Sequence, residues 1–172
     1  MDTVYIETSI VSHAVSRPSA DPLVRALQIQ ARRWWDEQRS AFDVVTSQFV
    51  LDEAARGDPQ AAADRLKLLK EIPLIPTIGR VPAIAEMLIS QSLIPRNARL
   101  DAFHVAVAAS AGVQYLLTQN CRHIANAYTL PRIYAVLSEA GCNRPLICTP
   151  AEFLGGPDDT PQSNTRRNLR RS

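Results

Sequence analysis

Glycine is scarce: there are six in 172 residues, and none lies in the turn after the first apolar strand. Both phosphate-cradling loops, G-x-G-x-x-G and G-x-x-x-x-G-K-[ST], are therefore missing, which argues against a dinucleotide or P-loop enzyme. The G-x-S-x-G elbow of the α/β hydrolases is absent too. Cysteine is limited to Cys121, Cys142 and Cys148, an odd number with no C-x-x-C pair. That usage fits a reducing, cytoplasmic setting rather than a disulfide framework. A zinc site drawn from Cys121, His123 and His104 would lack a second close ligand pair. No apolar run approaches the roughly 18 residues that span a bilayer, and no basic region leads into a long apolar stretch at the N-terminus. A soluble protein with no membrane partner is the expectation.

What is present is ordinary for a globular chain, with 46% apolar and 21% charged residues, enough for one core. The net charge of +2 comes from the tail, where Arg166, Arg167, Arg170 and Arg171 face only Asp158 and Asp159. The body is left with 15 basic and 15 acidic residues. Electroneutrality argues against a broad polyanion-binding face but leaves room for a local groove. From residue 155 onward Gly, Pro, Asp, Ser, Asn and Arg dominate, so a folded domain over 1–154 and a flexible Arg-rich tail over 155–172 are expected.

Short β-branched or aromatic runs at 3–6, 42–46, 115–118 and 146–149 read as strands, with a small extended piece at 74–76. Helical patterns lie between them. Asp21-Pro22 opens one that runs to Trp34 and Trp35, Ser47 is placed to cap another through Ala54, and further helices cover 60–70, 81–93, 100–111 and 131–140. Strands alternating with helices imply crossover connections, hence a three-layer α/β/α sandwich around a mainly parallel sheet. In such sheets the functional crevice lies beyond the carboxyl ends of the strands.

Acidic and polar residues gather at those ends. Glu7 terminates the first strand, Glu53 lies in the helix after the second, Asp101 opens the most apolar helix, and Asn120 follows the strand ending at Thr118. Glu53 shares the helix face of Phe49 and Val50, whereas Asp52 is rotated toward solvent. Asp101 shares a stripe with His104, Val105 and Ala108. Unpaired, an inward carboxylate would cost several kcal/mol or stay protonated. Each residue also has a plain structural role open to it: Glu7 as a cap, Glu53 paired with Arg56 or Arg99, Asp101 as a first-turn acid, Asn120 in a turn. His104 could support the site or be a satisfied core histidine, and His123 could contact phosphate or lie at the surface. Taken together, three inward carboxylates and an amide at one sheet edge favour a hard divalent cation, Mg²⁺ or Mn²⁺.

At these residues the chain resembles the PIN-domain ribonucleases, and among them the VapC-type toxins of type II toxin–antitoxin pairs. The matching stretches are VYIETS at 4–9, TSQFVLDEAARGDP at 46–59, RLDAFHVAVAASAGVQYLLT at 99–118 and TQNCRHIANA at 118–127. The D-A-x-H-V-A-x-A block, followed by a strand and T-x-N, is the most specific. The resemblance implies a PIN-like fold and a metal-dependent endoribonuclease whose acidic set falls on Glu7, Glu53 and Asp101. Asn120 would take the fourth place, and Thr8, Ser9 and Thr118 would line the pocket. It implies Mg²⁺ or Mn²⁺ on the three carboxylates, acidifying a water for in-line attack on an RNA phosphodiester. It also implies a cognate antitoxin and a homodimer or higher oligomer, with Trp34 or Trp35 on the first helix pair as a place for one such contact.

Two positions depart from the family pattern: Glu7 stands where Asp is usual, and neutral Asn120 stands where an acid is frequent. A second ion would then bind weakly. The rival expectation is a catalytically impaired PIN-like module that binds RNA or serves in assembly. A phosphohydrolase on a similar sheet is disfavoured by the missing D-x-D-x-T motif.

Overall fold

The computed structural model describes residues 1–77 and 79–153. The Arg-rich tail lies outside these residues. Four short strands, β1 (Thr3–Ile6), β2 (Asp43–Val45), β3 (Tyr115–Leu117) and β4 (Leu146–Cys148), form one sheet in the order β2-β1-β3-β4 with every pairing parallel. An isolated parallel bridge from Thr46 to Leu74 extends the β2 edge. Parallel strands covered on both faces read as near-continuous apolar runs, and Val4, Tyr5, Ile6, Leu116 and Leu117 are all fully buried.

Seven α-helices cover the sheet among the described residues: α1 (Thr8–Val15), α2 (Pro22–Arg33), α3 (Gln48–Ala54), α4 (Pro59–Leu69), α5 (Val81–Ser90), α6 (Arg99–Ala111) and α7 (Leu130–Glu139). Six of them fall into two packing sets, α1 with α2 and α4, and α5 with α6 and α7, while α3 packs on α1 and α4 and also touches α6; the result is a three-layer α/β/α sandwich. Asp21 caps α2 by accepting from the Leu23 and Val24 amides, with Pro22 supplying the first helical φ. Gly112 ends α6 in the left-handed conformation.

Four local readings change. The segment after Glu7 is the eight-residue helix α1, which buries Ile10, Val11 and Ala14. The helix from Pro22 does not run regularly through the tryptophans but widens into a π-helical turn over Trp34–Gln38. Trp34 is wholly buried, stacked on Phe42 with the ring planes 23° apart, and so is no surface contact; Trp35 is partly covered, under the Arg39 guanidinium. The large exposed apolar residues of α2 are Leu23 and Ile29. Ser47 stands at the N-cap of α3 but makes no side-chain cap, because its hydroxyl is engaged elsewhere.

The strand order sets the location of the site. The chain leaves β1 for β2 on one side and returns to β3 on the other, so the crossovers diverge between β1 and β3. A crevice opens at the carboxyl ends of strands at such a point. Glu7 leaves β1 there and Thr118 leaves β3, and the Glu7 amide continues the ladder onto the Leu117 carbonyl at 3.2 Å.

Candidate active site

Glu7 is nearly buried, and its carboxylate is held from three directions. Oε1 accepts from the Ser9 amide at 2.9 Å, and Oε2 accepts from Ser9 Oγ at 2.5 Å and Thr118 Oγ1 at 2.7 Å. Both hydroxyls in turn accept from backbone: Ser9 Oγ from the Gln119 amide at 2.8 Å, Thr118 Oγ1 from the Asn120 amide at 2.9 Å. The chain just beyond β3 is thereby bound to the start of α1 through one carboxylate. Glu7 is also the N-cap of α1, so the capping role and the site role fall on one residue.

Asn120 and Asp101 join this network from the other side. Asn120 Oδ1 accepts from the His123 amide at 3.0 Å, turning the chain so that His123 Nδ1 lies 2.8 Å from Asp101 Oδ2. Asp101, in the first turn of α6, is thus paired with a partly buried histidine rather than with a lysine or arginine. His123 is therefore not simply a surface residue.

Glu53 is reached through Thr8, the neighbour of Glu7. Thr8 Oγ1 donates to Glu53 Oε2 at 2.6 Å, and His104 Nε2 lies 2.6 Å from the same oxygen. Arg99 makes no ion pair with this carboxylate, and Arg56 acts only through its field. Burial pushes the Glu53 carboxyl up, but the hydrogen bond and charge of His104, the Thr8 hydroxyl and the field of Arg56 outweigh it and hold the group below its ordinary value. An ionised carboxylate only accepts, so His104 Nε2 carries the proton. On the far side of the ring, Nδ1 lies 2.8 Å from Tyr5 Oη, which in turn lies 2.8 Å from Ser47 Oγ. Burial drives the Tyr5 hydroxyl strongly upward, so it remains a donor.

Tyr5, Ser47 and the His123–Asp101 pairing are parts of the site that sequence reasoning did not assign. One signal existed: a tyrosine between Val4 and Ile6 on an inner strand needs a partner for its hydroxyl. Gln119 was also missed. Its side chain bridges His13 Nδ1 of α1 at 2.5 Å and the Leu27 carbonyl of α2 at 2.9 Å, bracing the residue between Thr118 and Asn120.

Among the described residues no three His, Cys, Asp or Glu side chains form a ready-made metal cage. What the three carboxylates offer is hard oxygen donors with accepting capacity to spare. Glu53 Oε1 and Asp101 Oδ1 accept no hydrogen bond from the described residues, and Glu7 Oε1 accepts only one. Mg²⁺ needs few protein ligands, since it keeps several waters and is held by one or two carboxylates with substrate phosphate. The three cysteines are free thiols. Cys148 ends β4 beside β3, with its thiol pushed up to about 12, mainly by burial, and the thiol makes no contact with the site residues.

Among the described residues, no helix is long and apolar enough to cross a membrane. Comparison of the chain with protein-family models, with curated proteins and with solved structures finds no match.

Proposed function

We propose that the chain is a metal-dependent endoribonuclease that hydrolyses RNA phosphodiester bonds, a toxin of the VapC type within the PIN-domain ribonucleases that its motifs resemble. The observation that carries this reading is the joining of Glu7, Asp101 and Asn120 through Thr118 and His123, with Glu53 attached through Thr8, at the carboxyl edge where β1 and β3 part. Glu7, Glu53 and Asp101 would hold Mg²⁺ or Mn²⁺ by their least occupied oxygens. When bound, the ion supplies positive charge that acidifies water and draws in the scissile phosphate. The hydroxyls of Thr8, Ser9 and Thr118 fix the carboxylate orientations beforehand, so little reorganisation is left for the reaction. Hydrolysis by water needs no 2′-hydroxyl, so preference for RNA rests on how the surrounding surface receives the strand. A cognate antitoxin covering the groove and self-association belong to the same proposal, as does a cytoplasmic setting.

The second reading is a catalytically impaired PIN-like module that binds RNA or serves in assembly. It is favoured by neutral Asn120 and by the lack of a three-ligand cage among the described residues. Incubating metal-stripped protein with a mixed structured RNA separates the two. The nuclease cuts on addition of Mg²⁺ or Mn²⁺, stops with EDTA, and loses cutting by on the order of 10²-fold or more in Asp101→Asn. Equal cutting by Asp101→Asn would assign the activity to a contaminant or to another site.

A further inference from the structure

From Met87 to Ser138 the chain holds a single acid, Asp101, against Arg96, Arg99, Arg122 and Arg132. The electroneutral body therefore hides a marked segregation of charge. Hydrogen bonds tie the segments that carry these residues to one another. Arg96 and Arg99 lie on the entry into α6, and the His123–Asp101 pairing ties the loop after β3, with Arg122, to the first turn of that helix. A long hydrogen bond of 3.5 Å from Arg132 to the Gln91 carbonyl ties the start of α7 to the end of α5. Only Arg96 meets an acid, the exposed Glu86 at 3.1 Å, while Arg99 lies over the Phe103 ring. Arg122 and Arg132 are exposed and form no ion pair among the described residues.

On the same loop Tyr128 is 95% exposed, more than any other large apolar or aromatic residue described. The backbone beneath it is well tied. Asn120 accepts from the Ile124 and Ala125 amides through its carbonyl, Asn126 Nδ2 donates to the Arg122 carbonyl at 3.0 Å, and Asn126 Oδ1 accepts from the Tyr128 amide at 3.0 Å. The Asn126 carbonyl also accepts from Thr129 and Leu130. The phenol ring is thus held in water by a braced loop, and that same loop begins at Asn120 of the candidate site.

A flat exposed aromatic ring that follows Arg122 and precedes Arg132 on one acid-free stretch of chain suits a polyanion with π faces. A duplex offers its bases only edge-on, whereas an unpaired nucleotide can lay its base on the ring. The geometry points to Tyr128 as a stacking platform for an unpaired base of an RNA strand, with Arg122 and Arg132 on the neighbouring phosphates. The inference deepens the ribonuclease reading, which supplies the direction from this platform toward Glu7 and Asp101, but strand binding itself needs no catalysis.

The test is equilibrium binding of a short fluorescein-labelled single-stranded RNA, and of the same strand in a duplex, to the full chain in EDTA over a range of monovalent salt. Tyr128→Ala should weaken single-strand binding about ten-fold and duplex binding far less, and Tyr128→Phe should restore it. Arg122→Ala and Arg132→Ala should each flatten the slope of log affinity against log salt by about 0.7. Because the ring is almost wholly in solvent, Tyr128→Ala should keep the wild-type circular dichroism. Unchanged single-strand affinity in Tyr128→Ala, or an equal loss for strand and duplex, overturns the inference. So does a change in sedimentation at unchanged RNA affinity, which would make the ring a protein contact. Metal-dependent cleavage that persists while Tyr128→Ala binds normally sinks this inference and spares the ribonuclease reading. Tyr128-dependent strand binding without cleavage does the reverse.

Discussion

His104 Nε2 lies 2.6 Å from Glu53 Oε2, and through this pair the most buried helix of the protein grips a carboxylate of the candidate site. Behind His104 the chain of hydroxyls from Tyr5 to Ser47 is closed off from solvent. Replacing Tyr5 with Phe keeps the ring but leaves His104 Nδ1 and Ser47 Oγ without this partner. The expected loss is about 1–3 kcal/mol of unfolding free energy, because a buried polar group left unpaired costs more than the net worth of its hydrogen bond. Urea denaturation measures it. Tyr5→Phe combined with Ser47→Ala should cost less than the sum of the two, and strict additivity would mean that the hydroxyls act independently.

Acid should expose the pairing of Glu53. Its folded value lies below the ordinary 4.5, so ionised Glu53 contributes stability that is fully present above the unfolded value. That contribution is lost as pH falls through the folded value. Urea midpoints taken in EDTA at neutral pH, and then in steps below about pH 4.5, should fall more steeply for the wild type than for Glu53→Gln. The gap between the two proteins should narrow toward the acid end. Parallel curves would show that Glu53 titrates alike in both states.

The positions of the strands along the chain and of most helices were legible because apolar runs, prolines and capping residues mark them locally, whereas the order of the strands in the sheet was not. Helix α1 was not, since Thr8, Ser9, Val11 and Ser12 are weak helix formers; tertiary burial of Ile10, Val11 and Ala14 decides it. In the site, the spacing of Glu53 and Asp101 marks the faces they occupy. Their partners could not be read that way. Asp101 and His104 share a helical stripe, yet His104 reaches across to α3 while Asp101 meets His123 on a loop. That exchange depends on how α6 packs against α3 and on a turn made by Asn120, neither of which is encoded in local periodicity.

Gly112 and Gly141 give a backbone prediction independent of the site. Both adopt positive φ, 71° and 67°, at the ends of α6 and α7. Alanine at either should cost about 1–2 kcal/mol, the penalty of a Cβ in the left-handed region. At Gly112 the new Cβ would lie 2.7 Å from Asn143 Nδ2, but that atom ends a side chain that can turn away, whereas Gly141 has open space. The two variants should therefore lose similar stability in urea, and adding Asn143→Ala to Gly112→Ala should restore little. A large recovery would show that the clash, and not the backbone, sets the cost.

Asn120→Asp tests the charge of the candidate site without disturbing its framework. The Asn120 carbonyl oxygen of the side chain accepts from the His123 amide, and a carboxylate oxygen can accept in the same place, so the loop that carries Asp101's partner should keep its path. What changes is one formal negative charge beside a set of three carboxylates. Affinity for hard cations rises with ligand charge. Isothermal titration of metal-stripped protein with Mn²⁺ should accordingly show tighter binding for Asn120→Asp than for the wild type, by about ten-fold, with unfolding midpoints in EDTA little altered or lower. A lower midpoint in EDTA that recovers with Mn²⁺ is the signature of added repulsion relieved by a bound ion. Equal Mn²⁺ affinity in the two proteins would place Asn120 outside the cation's reach and leave it as the residue that merely turns the loop.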